Sequence, residues 1–312
     1  MRLCRFNLND DVTELGEVGI YDGQSIFPMG AFSSLLRTAW PSNNILDYLP
    51  GGELHQEWRK LRNNVQRLMP VFEQVGSLRA DQVPLLAPIP DPSKILLLAG
   101  NYSKHIEEGG GKAEERAKTF PYVFMKPITT LNNPGAPIRI PAVSPDNIDW
   151  ELELGVIIGR RCHGVSEAEA LDYVAGYTVV NDISDRVFKP NPERNQRPKD
   201  VFFDWLHGKW HDTFCPMGPC VLPADDCPDP QSLKMTLKVN GQVEQDASTA
   251  DMVFPVAAIV SFVSSFVTLE PGDIISTGTP DGVGHPKGKH LKPGDVVEAE
   301  IEGIGVLRNP VE

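Results

Sequence analysis

Along most of this chain the apolar positions come in short runs broken by Gly, Pro, Asn and Asp, a pattern that predicts strands joined by turns. MRLCRF and GEVGIYDGQSIFPM open the series, and the Asp22-Gly23 pair between two apolar runs predicts a hairpin turn. From Ile45 to Val75 the period changes. Leu54, Trp58, Leu61, Val65 and Leu68 recur at mixed three- and four-residue spacing, which predicts one or two amphipathic helices. The proline-rich stretch PLLAPIPDPSK then reads as a linker at residues 84–94. It divides a small N-terminal α+β domain with its linker (residues 1–88) from a larger domain (residues 89–312).

In the larger domain KILLLAG, YVFMKP, WELELGVIIG, YTVVNDIS, LKMTLKVNGQV, DIISTGTPDGVG and DVVEAEIEGIG all read as strands. Helices are expected at SEAEALDYVAGY, which opens on a Ser166-x-x-Glu169 capping pattern, and at FPVAAIVSFVSSFVTL. The expected fold class is therefore α+β, mainly β. No fixed-period repeat interrupts this picture.

Composition narrows the function classes. A net charge of -13 with no run of Lys and Arg disfavours nucleic acid as a partner. No apolar stretch approaches the ~20 residues needed to cross a bilayer, and MRLCRFNLND turns acidic too early for a secretory leader. A cytoplasmic location without a membrane partner is the expectation. The five cysteines are odd in number and lack a compact disulfide framework, which predicts reduced thiols. Cys215 and Cys220 have no CxxC or HxxxH companion and read as packing residues.

Candidate chemistry begins in WELELGVIIG. A strand's period of two puts Glu151 and Glu153 on one face while Leu152 and Leu154 point into the core. Taken alone, that alternation better fits a half-exposed strand with a solvated charged face. Asp182 in YTVVNDIS, at the end of another apolar run, offers a third carboxylate. Three hard oxygen donors without thiolate or imidazole at ligand spacing favour Mg²⁺ or Mn²⁺, with Ca²⁺ a further hard cation of the same kind. An α-keto acid chelating such an ion would have its enolate stabilised.

In GNYSKHIEEGGGK, His105 and Glu108 meet if the segment makes one helical turn, so that Glu108 would orient a general base; a solvated loop histidine is the alternative. Gly109 to Gly111 would then form a mobile lid. Lys209, between aromatic residues in HGKWHDTF, would stabilise an oxyanion if it enters a pocket, and is otherwise a surface lysine. STGTPDGVG lacks the P-loop and GxGxxG patterns and reads as a tight turn presenting Thr279 and backbone N–H groups to a carboxylate. Neither GxSxG, HExxH nor a kinase signature occurs, so a metal-first mechanism is left.

Together GNYSKHIEE, YVFMKP, DWELELGVIIGR, GYTVVNDISDR, GKWHDTFCPMGP, VNGQVEQDASTADMVF, TLEPGDIISTGTPDGVG and LKPGDVVEAEIEGIGVLRNPV resemble, in order, the motifs of the fumarylacetoacetate hydrolase family from about Ser93 to the C-terminus. The resemblance implies a β-rich roll preceded by a variable N-terminal domain, usually as a homodimer. It places the metal triad on Glu151, Glu153 and Asp182, the His-Glu pair on His105 and Glu108, and the active-site lysine on Lys209. Tyr102, Lys126, Arg186 and Thr279 fall at positions associated with the substrate pocket. Where relatives commonly read Asp-x-Ser/Thr-Ala-Arg-Asp-x-Gln, this chain has DISDRVFK, so Asp185, Val187 and Lys189 are unusual. Lys189 would add a cationic contact for a second substrate carboxylate. The segment KPNPERNQRPKDVFFDWLHGK is also longer than the family's common connection and would alter specificity.

The activity this implies is metal-dependent hydrolytic C–C cleavage of an acylpyruvate or related β-diketo acid through an enolate, with a small keto acid as ligand. Decarboxylation or tautomerisation of oxaloacetate, or isomerisation or hydration of an unsaturated keto diacid, would use the same site. A non-catalytic binding protein of the same fold is the reading from another class.

Overall fold

The computed structural model describes residues 1–8, 16–36, 42–113 and 116–312. Among these, one long sheet runs in the spatial order Leu78–Arg79, Ser25–Pro28, Glu17–Tyr21, Arg2–Phe6, Cys215–Pro223, Val174–Asn181, Leu152–Ile158, Ile274–Ser276, Ile95–Ala99, Tyr122–Met125. Its N-terminal part forms as the pattern predicts. Asp22 turns the first hairpin by accepting hydrogen bonds from the backbone N of Gln24 (2.8 Å) and Ser25 (2.6 Å), and Gly23 takes a φ of +112° that a side chain would resist. Arg2–Phe6 then pairs with Cys215–Pro223, Leu3 opposite Val221, so strands from both ends of the proposed linker share one ladder.

A second, antiparallel sheet of four strands (Gln242–Ser248, Lys234–Val239, Val296–Ile301, Gly305–Pro310) carries an Asn240-Gly241 turn with both residues at positive φ, the geometry a right-twisted hairpin requires. Leu152, Leu154 and Val156 share a hydrophobic core with Met235, Leu237, Val297 and the helix Val256–Ser264. Ile157 points the other way, into a second core with Tyr48, Trp58 and Ile274. The central strand is thus buried on both faces, and its polar residues are committed to the interior.

The helical pattern between Ile45 and Val75, which predicts one or two helices, is present as two, His55–Asn63 and Val65–Val75. Two other expectations require correction. SEAEALDYVAGY makes no α-helix: only Ala170–Tyr173 winds, as a 3-10 turn, and Val174 already begins a strand. Its Ser166 hydroxyl donates to the Glu169 carboxylate at 2.5 Å instead of capping backbone N–H groups, and the β-branched residues that follow are taken by the sheet. Conversely, an unpredicted helix, Asp200–His207, lies in the long segment before Lys209. Arg194 holds it, donating from Nε to Asp200 Oδ2 at 3.1 Å and pairing through Nη2 with Asp204. All five cysteines are free and buried, as reduced packing residues should be.

Candidate active site

Strand pairing assembles the carboxylates. Leu152 stands opposite Asn181, and the Asp182 backbone N donates to Glu151 O at 2.9 Å, so Asp182 leaves its strand beside the start of the neighbouring one. One oxygen from each of Glu151, Glu153 and Asp182 lies within 4.8 Å of the other two, and all three residues are buried. The half-exposed strand fails as an explanation. Gly155, next on the same face, lets the neighbouring strand pack closely, because a Cβ there would stand 2.8 Å from the Val180 side chain.

Burying three carboxylates is costly unless cations and donors meet them. Lys209 Nζ donates to Glu151 Oε2 at 2.7 Å and to Asp182 Oδ2 at 2.6 Å. Its ammonium also lies over the rings of Phe124 (5.3 Å) and Trp205 (5.6 Å). Lys126 Nζ pairs with Asp182 Oδ1 and donates to the carbonyls of Ile183 (3.0 Å) and Phe214 (2.5 Å). Arg186 spans Glu151 Oε1 (2.6 Å) and Asp149 Oδ2 (2.9 Å).

The charges are unevenly shared. Burial would raise Glu151, but Arg186 and Lys209 hold it well below the usual carboxylate range. Glu153 accepts a hydrogen bond from Gly278 N (2.9 Å) and has no cation within ion-pair distance among the described residues. Burial, with Asp182 and Glu151 beside it, pushes its carboxyl up to about 8. A cluster of hard oxygen donors with one carboxyl starved of positive charge is what a divalent cation would complete, so the residues present fit such an ion.

His105 rides on the helix Ser103–Glu108. Its Nδ1 is 3.7 Å from Glu108 Oε2, too far for a hydrogen bond, and is buried without a hydrogen-bond partner among the described residues. Glu108 accepts instead from Gly282 N at 3.1 and 3.2 Å, so the expected orienting bond is replaced by a nearby charge. Burial lowers the His105 pKa, with Glu151 opposing, which favours neutral imidazole. Gly109, Gly110 and Gly111 donate to the carbonyls of His105, Glu107 and Ile106, closing the helix end.

The turn after Ile274–Ser276 presents backbone N–H groups to carboxylates, and those carboxylates belong to the protein itself. Gly278 N serves Glu153, Gly282 N serves Glu108, and Gly284 N serves Asp149 at 2.7 Å. Gly278 and Gly282 have φ of +88° and +100°, and a Cβ on Gly282 would lie 2.2 Å from Glu244 O.

A cavity of about 200 Å³ opens over this assembly, lined by His105, Glu151, Arg186, Lys209 and Thr279 and walled by Trp205 and residues 98–100. Glu153, Asp182 and Lys126 are buried beside these groups and do not line it. Lys126, expected in the substrate pocket, is turned to Asp182 instead, and two further expectations fail geometrically. Tyr102 is packed in the core with its hydroxyl donating to Met235 Sδ at 3.2 Å, and Lys189 is exposed on its loop; neither lines the cavity. A larger cleft of about 680 Å³, bordered by Tyr21, Asn133 and Arg308, holds none of these groups.

Several positioning residues escaped the sequence reading. Asp149 accepts from the backbone N of Gly284 and His285 while fixing Arg186, and it sits one strand period before Glu151, a signal available in DWELE. Gln245 accepts from Leu152 N (3.0 Å) and donates to Thr279 Oγ1 (2.8 Å) from the second sheet. Asn181 accepts from Glu151 N at 3.0 Å.

The protein family described as fumarylacetoacetate (FAA) hydrolase C-terminal matches residues 94–312, which contain this entire site. The chain belongs to that family. It is 43% identical, over 72% of its length and 75% of the relative's, to a 2,4-didehydro-3-deoxy-L-rhamnonate hydrolase of Sphingomonas sp. (strain SKA58). A mitochondrial oxaloacetate tautomerase of Xenopus laevis is 34% identical over 100% of this chain and 90% of its own. Among solved structures, maleylpyruvate hydrolase from Sphingobium sp. SYK-6 in complex with manganese (II) ion and pyruvate has a TM-score of 0.72 at 30% identity, covering 100% of this chain and 98% of that one. These relatives are enzymes, and the mainly β fold with few helices is the family's. Among the described residues no helix is long and apolar enough to cross a membrane.

Proposed function

We propose that this family member is a divalent-cation-dependent hydrolase that cleaves the C–C bond of an acylpyruvate or related β-diketo acid. The observation that carries this reading is the meeting of His105, Lys209, Arg186 and Thr279 in one cavity above the buried Glu151, Glu153 and Asp182 cluster. Those three carboxylates would hold Mg²⁺ or Mn²⁺, whose contribution is Lewis-acid polarisation of the keto acid.

The chain's own groups supply the rest. Thr279 Oγ1 already accepts from Gln245, which leaves its proton to donate to the substrate carboxylate, and Arg186 adds positive charge beside it. His105, kept neutral by burial, takes a proton from water as the water oxygen attacks the distal carbonyl. The C–C bond then breaks toward the pyruvate carbon, giving a carboxylic acid and an enolate. Lys209 donates to the enolate oxygen, and reprotonation at carbon yields pyruvate.

A second reading, oxaloacetate tautomerisation, is favoured by the full-length similarity to the Xenopus tautomerase. It needs only the transfer of a proton between the methylene carbon and the keto oxygen, with His105 serving the carbon and Lys209 the oxygen. To separate the two, Mn²⁺-supplied protein is incubated with acylpyruvates, oxaloacetate and unsaturated keto diacids, cleavage products are resolved by mass, and enol-keto interconversion of oxaloacetate is followed by the ultraviolet absorbance of the enol. Pyruvate plus a carboxylic acid is the expected result. Enol-keto interconversion of oxaloacetate without acylpyruvate cleavage replaces hydrolysis by tautomerisation, CO₂ release replaces it by decarboxylation, and an inert protein removes the enzymatic reading.

A further inference from the structure

Next to the polar cavity lies an apolar groove of about 450 Å³, formed by residues 120–124, Ala99, Phe202 and Trp205. None of these residues is charged. The groove adjoins the cavity, since Ala99 and Trp205 line both. Phe124 and Trp205 meet edge to face at 5.0 Å, and both rings lie under the Lys209 ammonium. Farther out Phe120, Tyr122 and Phe202 are 59%, 65% and 54% exposed, although rings of this size are normally covered.

Resting on the keto-acid reading above, we infer that this groove receives the distal substituent of the substrate and selects an apolar, preferably aromatic, group there. The groove offers stacking faces and no cation among its lining residues, the Lys209 ammonium being already paired with Glu151 and Asp182. Lys189, the one residue expected to bind a second carboxylate, does not reach the cavity. A charged distal group would lose hydration on entering without finding a partner, whereas an apolar group would gain by leaving water. Trp205 is the hinge of the selection, since it contacts both the reacting end and the distal end of any ligand that spans the two spaces.

The test measures calorimetric affinities of pyruvate, 2-oxoglutarate and 4-phenyl-2-oxobutanoate, with Mn²⁺ present, for the wild type, Phe202→Ser and Tyr122→Ser. Both substitutions fall on exposed rings outside the polar cavity, so folding is preserved. The phenyl compound is expected to bind the wild type about tenfold or more tighter than pyruvate. Each variant should surrender about three- to tenfold of that preference while its pyruvate affinity stays within about twofold of wild type. An unchanged preference in both variants, or tighter binding of 2-oxoglutarate than of the phenyl compound, overturns the inference while leaving the keto-acid reading intact. Absence of binding by all three keto acids overturns both. If the groove is instead covered by a second copy of this chain, the variants elute as smaller species with keto-acid affinities unaltered, which also overturns it.

Discussion

The carboxylates at the floor of the cavity come from strands in the middle of the long sheet, whereas the aromatic rings at its rim come from the terminal strand Tyr122–Met125 with the segment leading into it and from the helix Asp200–His207. At the floor Glu151 is fixed by Arg186 and Lys209, Asp182 by Lys126 and Lys209, and Glu153 by the Gly278 amide. At the rim Phe120, Tyr122 and Phe202 are largely exposed. Preorganised charge needs a rigid interior, while recognition of a variable substituent is met by rings that can be exchanged without touching that interior. One fold can thereby keep its chemistry and change its substrate.

The sharpest way to break this division is at the floor. Glu153→Ala removes a donor oxygen, and calorimetric Mn²⁺ titration should show affinity falling by about 10²–10³, with kcat/KM down by about 10³. Retention of both would place the cation elsewhere. Lys209→Met should lower kcat by about 10²–10³ without weakening Mn²⁺ binding, because the lysine shares Glu151 and Asp182 with the cation it would accompany. Parallel loss of Mn²⁺ binding would make Lys209 a support for the carboxylates rather than a reacting group.

A subtler effect follows from Glu153 without metal. Its carboxyl is raised from the ordinary 4.5 to about 8 by burial and by its two carboxylate neighbours. Folding therefore favours its protonated form, and the stability this contributes is full below about 4.5 and is lost as pH rises through about 8. Metal-free wild type should lose Tm relative to Glu153→Gln between these limits, and excess Mn²⁺ should restore the wild type. A pH-independent difference between the two proteins contradicts the charge deficit. Smallest of all, Lys189→Gln should change KM for a dicarboxylate keto acid by less than about twofold, since the side chain is exposed beyond the rim. A larger change would extend the recognition surface past the aromatic groove.

Much of the floor was legible because strand geometry is local. The alternation of Glu151, Leu152, Glu153 and Leu154 puts the two glutamates on one face of a pleated strand whether that face is solvated or buried, and Asp149 lies on the same period. The rim was harder to read. DVFFDWLH is short, and its helix depends on ion pairs from Arg194 to Asp200 and Asp204. SEAEALDYVAGY carried a helix-start pattern, yet pairing of Val174–Asn181 with two neighbouring strands outweighed it. Tyr102 illustrates the opposite error: lying in a functional motif did not bring its hydroxyl to the cavity, because the core took the ring.

By itself the sequence determined the strand-rich class, the paired glutamates on one face, the reduced cysteines and, through its ordered motifs, the family. Only the tertiary structure decided that both faces of the Glu151–Glu153 strand are buried, that Lys209 bridges Glu151 and Asp182, that Glu153 has no ion-pair partner among the described residues, and that aromatic rings adjoin the site. The physical reason is range. Periodicity and turn chemistry act over a few residues, whereas burial, charge balance and the shape of a cavity depend on groups that meet only when distant strands pair.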